Sequence, residues 1–141
     1  MPVSFKEVAS ISEFIDSIRL RVDVFIKEQG FEPGWEPDED DKSSRHFIAV
    51  KDGKAVATAR TRETTKGEIK IERMVVDKHC RKKGIGTGLI QFIISKHKGK
   101  NLWMEAQLQA QPFYEKCGFA AFSGPYDFYG VQHVKMALKK A

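Results

Sequence analysis

One stretch restricts the fold more than any other: Ile69 to Phe92 reads as a strand, a basic glycine-rich turn and a helix. Ile69, Ile71, Met74, Val75 and Val76 make an apolar, largely β-branched run of strand length. From Ile85, the apolar residues Leu89, Phe92 and Ile93 recur at helical spacing. Between the two lie Arg81, Lys82 and Lys83, then Gly84, Gly86 and Gly88. Gly99 closes the helix, and Asn101–Ala106 follows as a second apolar strand. A strand–helix–strand unit of this length implies a parallel pair with a right-handed crossover. The turn offers free backbone N–H groups at the positive end of the helix dipole, and glycine lets an oxygen-rich ligand come close. Binding of a phosphate or pyrophosphate suits it. A solvated basic surface turn is the plain structural alternative.

Around this unit the chain reads as a further strand, a helix and an antiparallel meander. Pro2–Val8 is a short strand. Ser10 is a candidate helix cap with Glu13 as its capping-box partner. Ile11, Phe14, Ile15, Ile18, Val22, Phe25 and Ile26 form an apolar stripe that Gly30 ends. Residues 31–42 are a loop carrying the acidic run Glu36–Asp41, in which Trp35 is expected to pack beneath the chain. The run lacks the glycine and closing glutamate of a calcium loop. His46–Val50 and Lys54–Arg62 are strands joined at Asp52-Gly53, a strong hairpin signal. Gly130–Leu138 is the last strand, with free pairing or swapping between subunits open to it.

At 141 residues the chain has the length of one domain, residues 1–141. The net charge of +5 is local to Lys78–Lys83, Lys96–Lys100 and the Lys139-Lys140 tail. It brings neither an aromatic-interleaved basic stripe nor zinc-finger spacing, so nucleic acid is not expected as a partner. Cys80 and Cys117 form no ligand pair or disulfide framework, which fits a reducing, cytoplasmic setting and no metal site. The first residues do not read as a signal peptide, and no apolar run reaches the roughly 18 residues of a membrane span.

Spacing separates the phosphate-binding readings. A P-loop would need Gly-Lys-Ser/Thr after four residues, and a dinucleotide fingerprint would need glycine where Leu89 stands. Arg81-Lys82-Lys83-Gly84-Ile85-Gly86 instead fits Arg/Gln-x-x-Gly-x-Gly/Ala, and in this the chain resembles the GCN5-related N-acetyltransferases (GNAT). Gln107–Phe119 resembles the family's Asn-x-x-Ala-x-x-Phe-Tyr-x-x-x-Gly-Phe segment, with Gln107 in the asparagine's place. Arg21–Gly30, the acidic loop and His46 are similar to the ElaA-like small-molecule branch. The resemblance implies an α/β (α+β) fold: a mixed, mostly antiparallel twisted sheet of roughly six to seven strands flanked by about four helices. It also implies acetyl-CoA as cosubstrate. Arg81, Lys82, Lys83, Gly84, Ile85, Gly86 and Thr87 would hold its pyrophosphate, the Met74, Val75 and Val76 backbone its pantetheine, and Gln107, Phe113 and Tyr114 its thiol end.

Acyl transfer to an amine needs alignment, a base for the ammonium proton and an acid for the leaving thiolate. By resemblance Tyr114 is the acid; a phenol with a pKa of about 10 matches a thiolate. His133, in Gly130-Val131-Gln132-His133-Val134-Lys135-Met136, is the first candidate base and Glu72 the second. Arg19, Arg21 and Arg73 are candidates to bind an anionic group of a small primary amine. Strand alternation sets Arg73 opposite Glu72 unless a bulge intervenes. A non-catalytic acyl-CoA-binding module and a protein acetyltransferase using the acidic loop are the alternatives.

Overall fold

The computed structural model describes residues 2–139; Met1, Ala141 and Lys140 of the basic tail lie outside that range. The chain runs β1 (Val3–Glu7), α1 (Ile11–Arg21) continued by a π-helical segment (Val22–Glu28), β2 (Arg45–Lys51), β3 (Lys54–Thr65) and β4 (Glu68–Val76). It goes on through α2 (Ile85–Ser95), β5 (Asn101–Gln107), α3 (Gln111–Lys116), β6 (Phe119–Ala121), β7 (Tyr126–Phe128) and β8 (Val131–Leu138). The strands form one 8-stranded sheet in the order β1-β2-β3-β4-β5-β8-β6, with β7 also paired to β8. This is the expected mixed sheet with slightly more strands, because the last third of the chain breaks into short pieces. The pair β4–β5 is parallel and all others are antiparallel.

Local signals account for many element ends. Ser10 Oγ accepts from the Glu13 N–H at 3.1 Å, and Glu13 Oε1 accepts from the Ala9 N–H at 2.8 Å. Asp52 and Gly53 take positive φ values of 53° and 74°, as a two-residue hairpin turn requires. Pro112 opens α3, and Gly118 follows its end at φ 100°.

The sheet's two faces differ in chemistry. On one, Ile85, Leu89, Ile90 and Ile93 of α2 meet Phe47, Ala57, Ala59 and Ile71 in the main apolar core. Gly86 permits close contact there: a Cβ would stand 3.2 Å from Phe113 and 3.4 Å from Val76. On the other face α1 covers β3 and β4, with only a small cluster of Leu20, Val24 and Val75. The expected stripe of α1 lies off the centre of the buried face: Phe14 still packs against His46 and Phe25 against the small cluster, but the start of the stripe is exposed. Ile11 is 79% and Ile15 45% exposed, whereas Ser17, Leu20, Arg21 and Val24 face inward. The Ser17 hydroxyl donates to the Phe14 carbonyl at 2.7 Å, so its burial leaves no polar group unpaired. Arg21 reaches inward to carboxylates, and that ionic demand overrides the apolar periodicity. β8 is paired on both sides within the chain, and the outer edges of the sheet belong to β1, β6 and β7.

Candidate active site

β4 and β5 pair only from Glu68↔Asn101 to Ile71↔Met104. Beyond that point both strands continue, to Val76 and Gln107, without pairing to each other. A cavity of about 390 Å³ opens where they part. β4 is also irregular here. Thr58 pairs with Val75 and Arg60 with Glu72, so Arg73 and Met74 together face Ala59. This bulge puts Arg73 at φ 57°, an uncommon conformation for a long side chain. It resets the alternation, so Glu72 and Arg73 both line the cavity, contrary to the simple strand pattern.

The cavity gathers many of the candidates: Glu72, Met74, Val75, Val76, Arg81, Gln107, Tyr114 and His133. The π-helical segment supplies Val24, Phe25 and Glu28 to the opposite wall. Lys82, Lys83, Gly84, Ile85, Gly86, Thr87 and Phe113 lie outside the lining, in and around the turn that starts α2. Gly84 caps that helix at φ 81°. The first N–H groups of α2 are left for another acceptor, as at any helix start. Lys82 and Lys83 are exposed and form no ion pair among the described residues.

Arg81 behaves differently from its neighbours. Its guanidinium donates to both Glu28 carboxylate oxygens at 2.7 and 2.8 Å, and its Nε donates to the Val76 carbonyl at 3.0 Å. It therefore ties the turn to the π-helical segment in place of lying open toward a phosphate. Gln107 makes a parallel link, donating to Gln29 Oε1 at 2.9 Å.

The anion-binding role expected of the arginines is not supported by their surroundings. Arg19 is exposed on α1 outside the cavity. Arg21 is buried against Glu36 and grips Asp41 at 2.8 and 3.1 Å. Arg73 donates to Glu36 at 2.5 Å and to Asp38 at 2.9 Å. Arg60 completes the set, reaching Asp38 at 2.6 Å, Asp41 at 2.8 Å and Glu72 at 3.0 Å. Glu36, Asp38 and Asp41 of the acidic run thus fold inward over arginines of α1, β3 and β4, while Glu39 and Asp40 stay exposed.

Glu72 is a poor base in this setting. Burial alone would raise its carboxyl, but hydrogen bonds from Arg62 and the charges of Arg60 and Lys70 outweigh it and hold it at about 2. The contacts are 2.7 Å to Arg62 and 3.1 Å to Lys70. Asp41 is likewise opposed by burial and held well below the carboxylate range by Arg21, the Asp38 N–H and Arg60.

Tyr114 and His133 are placed differently. Tyr114 is buried between Phe113 and Phe119, with ring centroids at 5.0 and 6.2 Å, and burial pushes its phenol upward. Its hydroxyl makes no hydrogen bond among the described residues. The His133 Nδ1 lies 2.9 Å from the Val131 carbonyl. A carbonyl can only accept, so Nδ1 carries the proton and the neutral ring keeps a bare lone pair on Nε2. Nε2 has no partner among the described residues.

Several lining residues escaped the sequence reading. Glu105 accepts from Lys70 and from the Tyr126 hydroxyl, each at 2.5 Å. A lone carboxylate within the apolar strand Leu102–Ala106 was the available signal. Trp35 does not pack beneath the loop alone. It lines the cavity with Phe31 and Phe128 and stacks near Arg73, whose guanidinium lies 5.4 Å from the ring centroid.

The paired groups set the response to acid. Glu72 and Asp41 have depressed values in the fold, so their stabilisation is complete above the unfolded carboxyl range and lost as pH falls. His46 and His97, both lowered chiefly by burial, act in the same sense from about pH 6.5 downward. Thermal melts should show Tm falling from about pH 6.5 and more steeply below about pH 4.5. A Tm unchanged between those values and pH 3 would contradict this.

Comparison with known proteins adds an independent finding. A family model described as an acetyltransferase (GNAT) domain matches residues 15–140. The uncharacterized N-acetyltransferase YjcF of Bacillus subtilis is 33% identical over 127 residues, covering 86% of this chain and 89% of its own. Protein ElaA of Escherichia coli is 29% identical over 136 residues, covering 91% and 88%. The crystal structure of Escherichia coli ElaA superposes with a TM-score of 0.87 at 25% identity, covering 98% of this chain and 100% of the other. Among the described residues no helix is long and apolar enough to cross a membrane.

Proposed function

The chain belongs to the GNAT acetyltransferase family, and from that premise we propose that it moves an acetyl group from acetyl-CoA to the primary amine of a small acceptor. Membership makes it an acyltransferase, and the family's acyl donor is acetyl-CoA. The observation that carries the finer reading is the pairing, on one cavity, of a histidine with a bare Nε2 and an unengaged buried tyrosine.

The residues present fit the donor. The unpaired β4 edge at Met74–Val76 has backbone groups for an amide-rich arm, since β5 has already turned away. The N–H groups of Ile85, Gly86 and Thr87, with Lys82 and Lys83 beside them, suit a diphosphate. Gln107, Phe113 and Tyr114 stand at the thiol end.

His133 Nε2 takes the proton that an ammonium must lose before its nitrogen can attack. Val131 holds the ring in the tautomer that can do so. The Arg73–Met74 bulge lies where β4 and β5 part, and a backbone N–H there is the candidate donor to the charge that develops on the carbonyl oxygen. Tyr114 donates its proton to the departing sulfur, and its upward-shifted phenol stays protonated across the working range.

Initial rates of acetyl-CoA consumption over a panel of primary amines test this reading. Tyr114→Phe is expected to lower kcat about 10²-fold with an unchanged dissociation constant for acetyl-CoA. A wild-type chain that binds acetyl-CoA and turns over no amine would favour a binding module.

A further inference from the structure

Resting on that transfer reading, we propose that the acceptor is a primary amine on a short arm from a flat aromatic body, seated against Trp35 and Phe128. Two observations carry it: the charged side chains that line the acceptor end are all paired, and the rings there are braced at a conformational cost.

Each charged side chain that lines the cavity near His133 already faces an opposite charge within the protein, and Lys135 and Asp127, which form no ion pair among the described residues, lie outside that lining. Arg73 is held by Glu36 and Asp38, and Lys70 lies between Glu72 at 3.1 Å and Glu105 at 2.5 Å. An acceptor carboxylate or phosphate would have to break one of these part-buried pairs and leave its partner exposed to the cavity alone, which is strongly unfavourable. A second ammonium meets the same obstacle at Glu105. Neither an acidic amine nor a polyamine finds a free counter-charge.

What the cavity does present there is aromatic. Phe31, Trp35 and Phe128 line it. Phe128 lies 5.0 Å from the His133 ring, so a ring seated beside it puts an amine on a short arm within reach of Nε2. Tyr129 props the wall from outside. It meets Trp35 edge-on at 4.8 Å and Phe128 at 4.7 Å, and it is 72% exposed.

The conformation of Tyr129 makes this more than incidental packing. Phe128 pairs with Val131, so Tyr129 and Gly130 form a two-residue hairpin turn at φ 53° and 84°. Such turns favour Asn, Asp or Gly, because both central residues need positive φ. The chain's turn at Asp52-Gly53 follows that preference. A bulky ring at the first position is an outlier, and here its ring holds the cavity wall in place.

Matched acceptors give the test. Phenethylamine and phenylalanine share ring and amine and differ by a carboxylate; putrescine lacks the ring and carries a second charge. The expected kcat/KM for phenethylamine exceeds both others by about tenfold or more, and Trp35→Ala lowers it about ten- to a hundredfold without changing acetyl-CoA binding. Tyr129→Asn relieves the turn and is expected to fold at least as stably while narrowing the aryl preference, so a folding defect cannot mimic the result. Equal or better use of phenylalanine or putrescine, or an unchanged preference in Tyr129→Asn, overturns the assignment. Calorimetric titration of phenethylamine into the CoA-saturated protein separates the two claims. Binding without turnover keeps the aryl site and sinks the transfer reading; turnover of non-aromatic amines alone does the reverse.

Discussion

Replacing His133 with alanine is expected to lower kcat about 10²- to 10⁴-fold while the dissociation constant for acetyl-CoA stays put. The imidazole sits on β8 opposite Gln107, at the point where β5 has left β4. On the proposed reading the cosubstrate's diphosphate lies at the turn before α2, away from this position. The loss should therefore fall on the chemical step, visible in single-turnover rates at saturating acetyl-CoA. Full activity in the variant would move the base elsewhere. Glu72 is the next carboxylate on the wall, and its grip by Arg60, Arg62 and Lys70 argues that it would have to be freed first.

The second large effect is on stability. Arg60 sits in the middle of β3 with only 2% of its side chain exposed. Its guanidinium serves Asp38, Asp41 and Glu72 together. Arg60→Ala strips one cation from three carboxylates at once. Removing one member of a buried ionic set costs about 3–5 kcal/mol, a large share of a typical domain's total. A fall in Tm of about 10 °C or more is expected in melts at pH 7. Arg60→Lys should recover only part of it, because an ammonium cannot reproduce the planar fork that reaches several carboxylates. A variant melting within a few degrees of the wild type would mean that the network contributes little.

The parts of the fold set by neighbouring residues were readable in advance. Ser10 caps α1, Asp52-Gly53 turns β2 into β3, and Pro112 and Gly118 bracket α3, because each signal acts within a few positions. The β4–α2–β5 crossover followed from length and apolar spacing alone. What sequence spacing missed depends on partners far along the chain. Arg21 turns inward to meet Glu36 and Asp41, so the buried face of α1 centres on Ser17, Leu20 and Arg21 and only partly on its apolar stripe. Arg81 finds Glu28, a residue on the far wall. Arg21 and Arg73, which looked free to hold a ligand, are counterparts of the acidic loop. The bulge at Arg73–Met74 carries no glycine to announce it. The aromatic wall comes from two loops, around Trp35 and around Tyr129, that meet only in the folded chain.

A floor whose charges are all satisfied from within leaves the rim free to drift. Arg21, Arg60 and Arg73 bind the acidic loop to the sheet whatever occupies the cavity, so a substitution among them is felt first as lost stability. Trp35, Phe128 and Tyr129 stand at the edge of that scaffold and share none of its hydrogen bonds through their side chains among the described residues. On the proposed reading, exchanging a few of these rings would change acceptor preference in this chain while leaving its charged foundation intact.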